Sequence, residues 1–225
     1  MSNPQTPGHL PNNADEHIAN LRFQLSHNAD CGTTLYNLGV ALIGKQEYAE
    51  AEKVLHDAVD RSPTLAEAYV QLGGICLQRG DLEGCFRYNM RATKARAGFA
   101  EGYANMAFVL LQLVDGKDEK EDEEKVDKAI KHLRKAVIHN KHFIQAYTTL
   151  GTAYFMKGLL DEGIKANQEA LEIAPDFPIA HNNLAVAFLE KENFEKAIEH
   201  CDKAVALGFE VVPALLQELE PHRKA

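Results

Sequence analysis

Four carboxamides and one hydroxyl recur along this 225-residue chain at a nearly fixed step. Asn37, Gln71 and Asn105 are each 34 residues apart; Thr149 comes 44 residues later and Asn183 another 34. A carboxamide donates and accepts at once, so it can hold both the N–H and the C=O of an extended peptide without reading its side chains. One turn further along stand Val40, Gly74, Phe108, Thr152 and Val186, followed by Ile43, Leu77, Leu111, Phe155 and Leu189. Amides beside mainly apolar residues suit a peptide or helix with a few apolar anchors.

Other chemistry finds little support. The sequence has no Gly-rich phosphate loop, nucleophile elbow or HExxH pair. His139 and His142 lie three apart but lack the cysteine or carboxylate spacing of a metal site. Cys76 and Cys85 face each other across one helix hairpin and read as small core residues. A formal net charge of −9 argues against general nucleic-acid binding, which needs a basic footprint. No stretch approaches the ~20 apolar residues of a membrane span, and MSNPQTPGHLPNNADEH has no secretory pattern. Four scattered cysteines without a CxxC pair point to a reducing, cytoplasmic setting. No cofactor is expected.

The elements that must position the amides are paired helices. In Gly32–Leu65, Leu35, Leu38, Gly39 and Leu42 form one helical stripe, and Ala51, Leu55 and Ala58 form a second, stopped by Pro63. Small residues on facing stripes let two short helices pack closely, but one such pair cannot bury its own apolar faces. It therefore recurs. Leu35, Tyr69 and Tyr103 keep step, as do Leu38, Leu72 and Met106; the register slips by ten and resumes at Tyr147, Leu150 and Gly151, then at His181, Leu184 and Ala185. Second helices follow through Ala58, Ala92, Ala136, Ala170 and Ala204.

These positions resemble the tetratricopeptide repeat (TPR) over about residues 32–209, with repeat one matching the family's signature throughout. The resemblance implies an all-α, right-handed α-solenoid of five helix-turn-helix repeats: 32–65, 66–99, 100–143, 144–177 and 178–209. Residues 1–12 carry three prolines and read as a disordered tail. Residues 13–31 read as a capping helix, and 210–225 as a C-terminal capping helix with a tail. Departures fall at Asn89 and Asn167, which stand where bulky apolar residues are usual. Each should bond to backbone or tilt to the edge.

The resemblance also implies that first helices line a concave groove. Asn37, Gln71, Asn105, Thr149 and Asn183 would then form a ladder similar to the asparagine ladder of O-GlcNAc transferases. Val40, Phe108, Thr152, Phe155 and Leu189 would lie along the groove's floor. A TPR subclass that clamps C-terminal carboxylates uses cations where this chain has Glu101 and Asn105, so that mode is disfavoured. The expected function is a non-catalytic protein-interaction module for a protein or peptide partner, with a self-associating scaffold or assembly factor as the alternative. Residues 114–127 insert eight acids and three lysines into repeat three, giving a charged turn or extra helical turns, or an acidic knob for a basic partner. Arg87, Arg91, Lys94 and Arg96 form a basic patch on a second helix.

Overall fold

A computed structural model describes residues 13–28 and 31–223; the expected N-terminal tail lies outside them. The described residues form twelve α-helices and no strand, and they divide into two compact units between Ala97 and Gly98.

The first unit holds α1 (Asn13–His27), α2 (Gly32–Gly44), α3 (Tyr48–Arg61), α4 (Ala66–Gln78) and α5 (Leu82–Ala95). α2 with α3 and α4 with α5 are antiparallel hairpins, and α1 packs on α2. The apolar stripes of the sequence become the core: Leu35, Leu38 and Leu42 are buried, as are Ala51, Leu55 and Ala58. Gly39 shows why a small residue sits in its stripe. A Cβ there would lie 2.6 Å from Leu55 Cγ, well inside van der Waals contact.

The second unit holds α6 (Ala100–Gln112), α7 (Glu119–His139), α8 (Ile144–Met156), α9 (Leu160–Ile173), α10 (Pro178–Glu190), α11 (Phe194–Ala206) and α12 (Pro213–Leu219). It has three hairpins, and α12 lays Leu215 and Leu219 into the core shared with α10 and α11. Pro213 starts α12, where its missing N–H costs nothing.

Asn89 and Asn167 do not tilt outward. Both are fully buried, and each Nδ2 donates to the carbonyl four residues earlier: Cys85 O for one, Gly163 O for the other, both at 2.9 Å. Each amide lies against the glycine at the crossing of its hairpin, Gly73 or Gly151, which leaves it room. Burial with a satisfied donor keeps the polar cost low.

The insertion becomes helix. α7 runs for 21 residues, where the other second helices of the hairpins have 13 or 14. Asp118 caps it by accepting from Glu121 N, and Asp122 accepts from the Gly116 N–H at 2.7 Å, folding the preceding turn onto it. Lys125 bridges Glu121 and Asp122, while Lys128 pairs with Glu124. These contacts explain how eight acids share one segment.

A further pattern ties successive hairpins. Lys45, Arg79, Lys157 and Lys191, each the residue that closes a first helix, reach back to Asp15, Glu52, Asp127 and Asp161 on the preceding helix. A cation there also complements the helix's C-terminal partial charge.

Candidate peptide-binding face

In the first unit, Asn37 and Val40 stand exposed on α2 (Val40 at 38%). With Tyr36, Ala41 and His17 of α1 they wall a cavity of about 440 Å³. Among the described residues the Asn37 amide has no hydrogen-bond partner. Gln71 is half-buried on α4; burial foremost, then Glu67, pushes the Tyr36 phenol above its ordinary range, with Gln71 opposing them. Gly74, one turn on from Gln71, is open to solvent, with nothing near a Cβ built on it.

In the second unit, Phe108 on α6 is 40% exposed and Asn105 half-buried, three residues apart as Asn37 and Val40 are. The later positions differ from expectation. Thr149 Oγ1 donates to Gln145 O at 2.7 Å and Thr152 Oγ1 to Thr148 O at 3.2 Å, so both hydroxyl protons are spent on their own helix. Phe155 is not a free anchor: its ring covers Gly163, where a Cβ would come within 2.1 Å of it, and it packs with Leu189 against the α9–α12 core. Asn183 Nδ2 donates to Asn167 Oδ1 at 3.0 Å, which commits part of that amide inward. The five positions thus differ in what they leave free. Asn37 has no hydrogen-bond partner among the described residues, Asn183 is bound to a neighbour, and Thr149 has only acceptor capacity left.

Two residues escaped the sequence reading. Tyr36 lines the cavity beside Asn37, an aromatic next to an amide that could have been noticed. Asn182, beside Asn183 on α10, buries Oδ1 without a hydrogen-bond partner. A buried acceptor left open costs ~1–3 kcal/mol and nothing in its spacing announces it.

The other chemical candidates have structural places. His139 stacks on Tyr103 at 5.9 Å, and no group of three potential metal ligands occurs among the described residues. Cys76 and Cys85 are buried free thiols, and burial pushes Cys85 up to about 11. No described helix is long and apolar enough to cross a membrane.

Antiparallel helix pairs repeated at a fixed interval, with small residues at their crossings, define an all-α helical-repeat solenoid. The tetratricopeptide repeat family matches residues 36–84, 118–178 and 178–207, and the chain belongs to that family. Such repeats characteristically mediate protein–protein interaction without catalysis. Hsp70-Hsp90 organizing protein 3 of Arabidopsis thaliana is 32% identical over 78 residues, a match that takes in 34% of this chain and only 14% of that relative. Among solved structures, YrrB, described as a TPR protein with an unusual peptide-binding site, superposes with a TM-score of 0.66 at 21% identity, covering 89% of this chain and 97% of that one. PilF of Pseudomonas aeruginosa gives 0.69 at 13% identity, covering 94% and 88%. MamA gives 0.63 at 20%, covering 76% and 94%. At these identities the likeness concerns the fold.

Proposed function

We propose that the chain is a non-catalytic adaptor that binds a partner protein's extended or helical segment on the exposed face of its first helices. The observation that carries this reading is the open amide of Asn37 beside exposed Val40 and a cavity of about 440 Å³. The same amide-plus-apolar pair recurs as Asn105 and Phe108 in the second unit. An amide holds backbone while the apolar neighbour removes a side chain from water. The chaperone organisation in the relative's name is not carried over, because Glu101 puts a negative charge where a carboxylate-clamping repeat needs a cation. Four unpaired cysteines fit a cytoplasmic location.

The test is affinity capture from native extract with wild type and with an Asn37→Ala/Val40→Asp/Phe108→Asp variant as baits. Proteins identified with wild type should be lost from the variant while helical content and melting stay the same. Capture that survives all three changes refutes this face as the binding surface.

A further inference from the structure

We propose that the outer stripe of α5 is a second docking site, which holds an acidic, Asp- and Glu-rich segment of a protein partner. It is separate from the amide face, which lies on first helices.

Arg87, Arg91 and Lys94 fall at i, i+4 and i+7 of α5, so one side of the helix carries all three cations. In a chain of net charge −9 this runs against the overall balance. Two cavities of about 370 and 250 Å³ share Arg91 and Lys94. Tyr88 and Met90 line the first, and Pro63 and Tyr69 line the second, so each charge has an apolar wall beside it.

The state of the cations distinguishes this stripe from the rest of the unit. Arg79 and Arg96 are locked to Glu52 and Glu67 at 2.7 and 2.6 Å. Arg91 instead rests over the Tyr69 ring, 5.6 Å from its centroid, which orients the guanidinium and leaves its N–H groups unused. Neither Arg91 nor Lys94 has a carboxylate at ion-pairing distance among the described residues. Among the described residues Arg87 pairs with Glu83 alone, at 3.9 Å, with both side chains largely exposed, a pair worth little.

Spacing selects the occupant. Seven residues of helix rise ~10 Å, so the cations are strung out rather than gathered on a point. Carboxylates three residues apart on a polyproline II segment, with three residues per turn and ~3.1 Å per residue, share one side and match that span. A single phosphate is too compact to reach all three. The chain's own acidic insertion is a poor candidate, because Lys117, Lys125, Lys128 and Lys157 already hold Asp115, Glu121, Asp122, Glu123, Glu124 and Asp127. With six of the insertion's eight acids already engaged, a partner's acidic segment is the better occupant.

The test is fluorescence anisotropy of the full chain with a labelled hexaglutamate peptide. Binding at about 50 mM salt should weaken at least ~tenfold by about 300 mM, as exposed charge pairs are screened. The Arg91→Ala/Lys94→Ala variant, with unchanged circular dichroism, should lose affinity by ~tenfold or more. An Asn37→Ala/Val40→Asp variant should bind as wild type does, which separates this site from the amide face. The proposal is overturned if wild type does not bind hexaglutamate, or if the double variant binds it equally well. It is overturned too if a phosphoserine peptide or a thymidine oligonucleotide binds more tightly through the same residues. Salt-sensitive self-association in light scattering, abolished by the double variant, would assign the stripe to a second copy and also overturn it.

Discussion

Truncating Asn167 to alanine should destabilise the second unit by about 2–3 kcal/mol, and the figure follows from its contacts. The side chain is fully buried, donates to Gly163 O and accepts from Asn183 Nδ2. Two net hydrogen bonds contribute ~1 kcal/mol each. The vacated space, ~25–30 Å³ at ~24 cal/mol per Å³, adds ~0.6 kcal/mol. Gly163 O keeps its helical partner, so no orphaned backbone group enlarges the loss. For a unit of this size the melting point should fall by roughly 6–12 °C. Asn183→Ala alone should cost about 1 kcal/mol, because its amide is half-buried and water can replace the bond. The two changes share one hydrogen bond, so urea denaturation of both singles and the double should give a coupling energy of ~0.5–1.5 kcal/mol. Asn167→Leu should be milder than Asn167→Ala, since it restores volume at a position where the family usually has a bulky apolar residue. The reasoning fails if Asn167→Ala costs under ~0.5 kcal/mol or the cycle shows no coupling.

Other consequences are equally direct. Gly39→Ala should cost ~1–3 kcal/mol through the 2.6 Å approach to Leu55, read as a lowered urea midpoint with unchanged slope. His181 Nε2 donates to Pro175 O at 2.9 Å, and its Nδ1 lies 2.9 Å from His200 Nδ1. Burial, then His181, pushes His200 down to about 4 from 6.5, while Glu199 opposes this and Lys203 and Lys196 add to it. The unfolded chain therefore binds this proton first: stability is fully present above pH 6.5 and declines down to about pH 4, by at most ~3 kcal/mol. A His200→Gln variant should flatten that part of a stability-versus-pH curve. Hydrogen bonding by Thr34 lowers the half-buried Cys31 thiol, whereas Cys76, Cys85 and Cys201 are raised by burial. Brief iodoacetamide treatment of the native protein should accordingly modify Cys31 alone, as mass spectrometry of tryptic peptides would show; equal labelling of Cys85 would contradict its burial.

Periodicity by itself determines much of this fold. Leu38, Gly39, Leu55 and Ala58 announce a close helix crossing by type and spacing, since only small residues let two helices approach there. Because the step repeats, the same reading places Asn37 and Val40, then Asn105 and Phe108, at equivalent positions of successive units. Spacing reports which side of its own helix a residue occupies. It does not report which neighbouring group will meet that residue. Tertiary structure alone decided that Asn183 is drawn inward by buried Asn167, and that Phe155 turns onto Gly163 instead of remaining available. It also decided that the inserted acids lengthen α7, because the cap at Asp118 and the Gly116 N–H held by Asp122 depend on how the chain folds back. On α5 the sequence supplied three cations on one stripe. Only the packing showed which of them lack a carboxylate and which aromatic ring supports the central one, because pairing depends on distances between helices that a linear pattern does not contain.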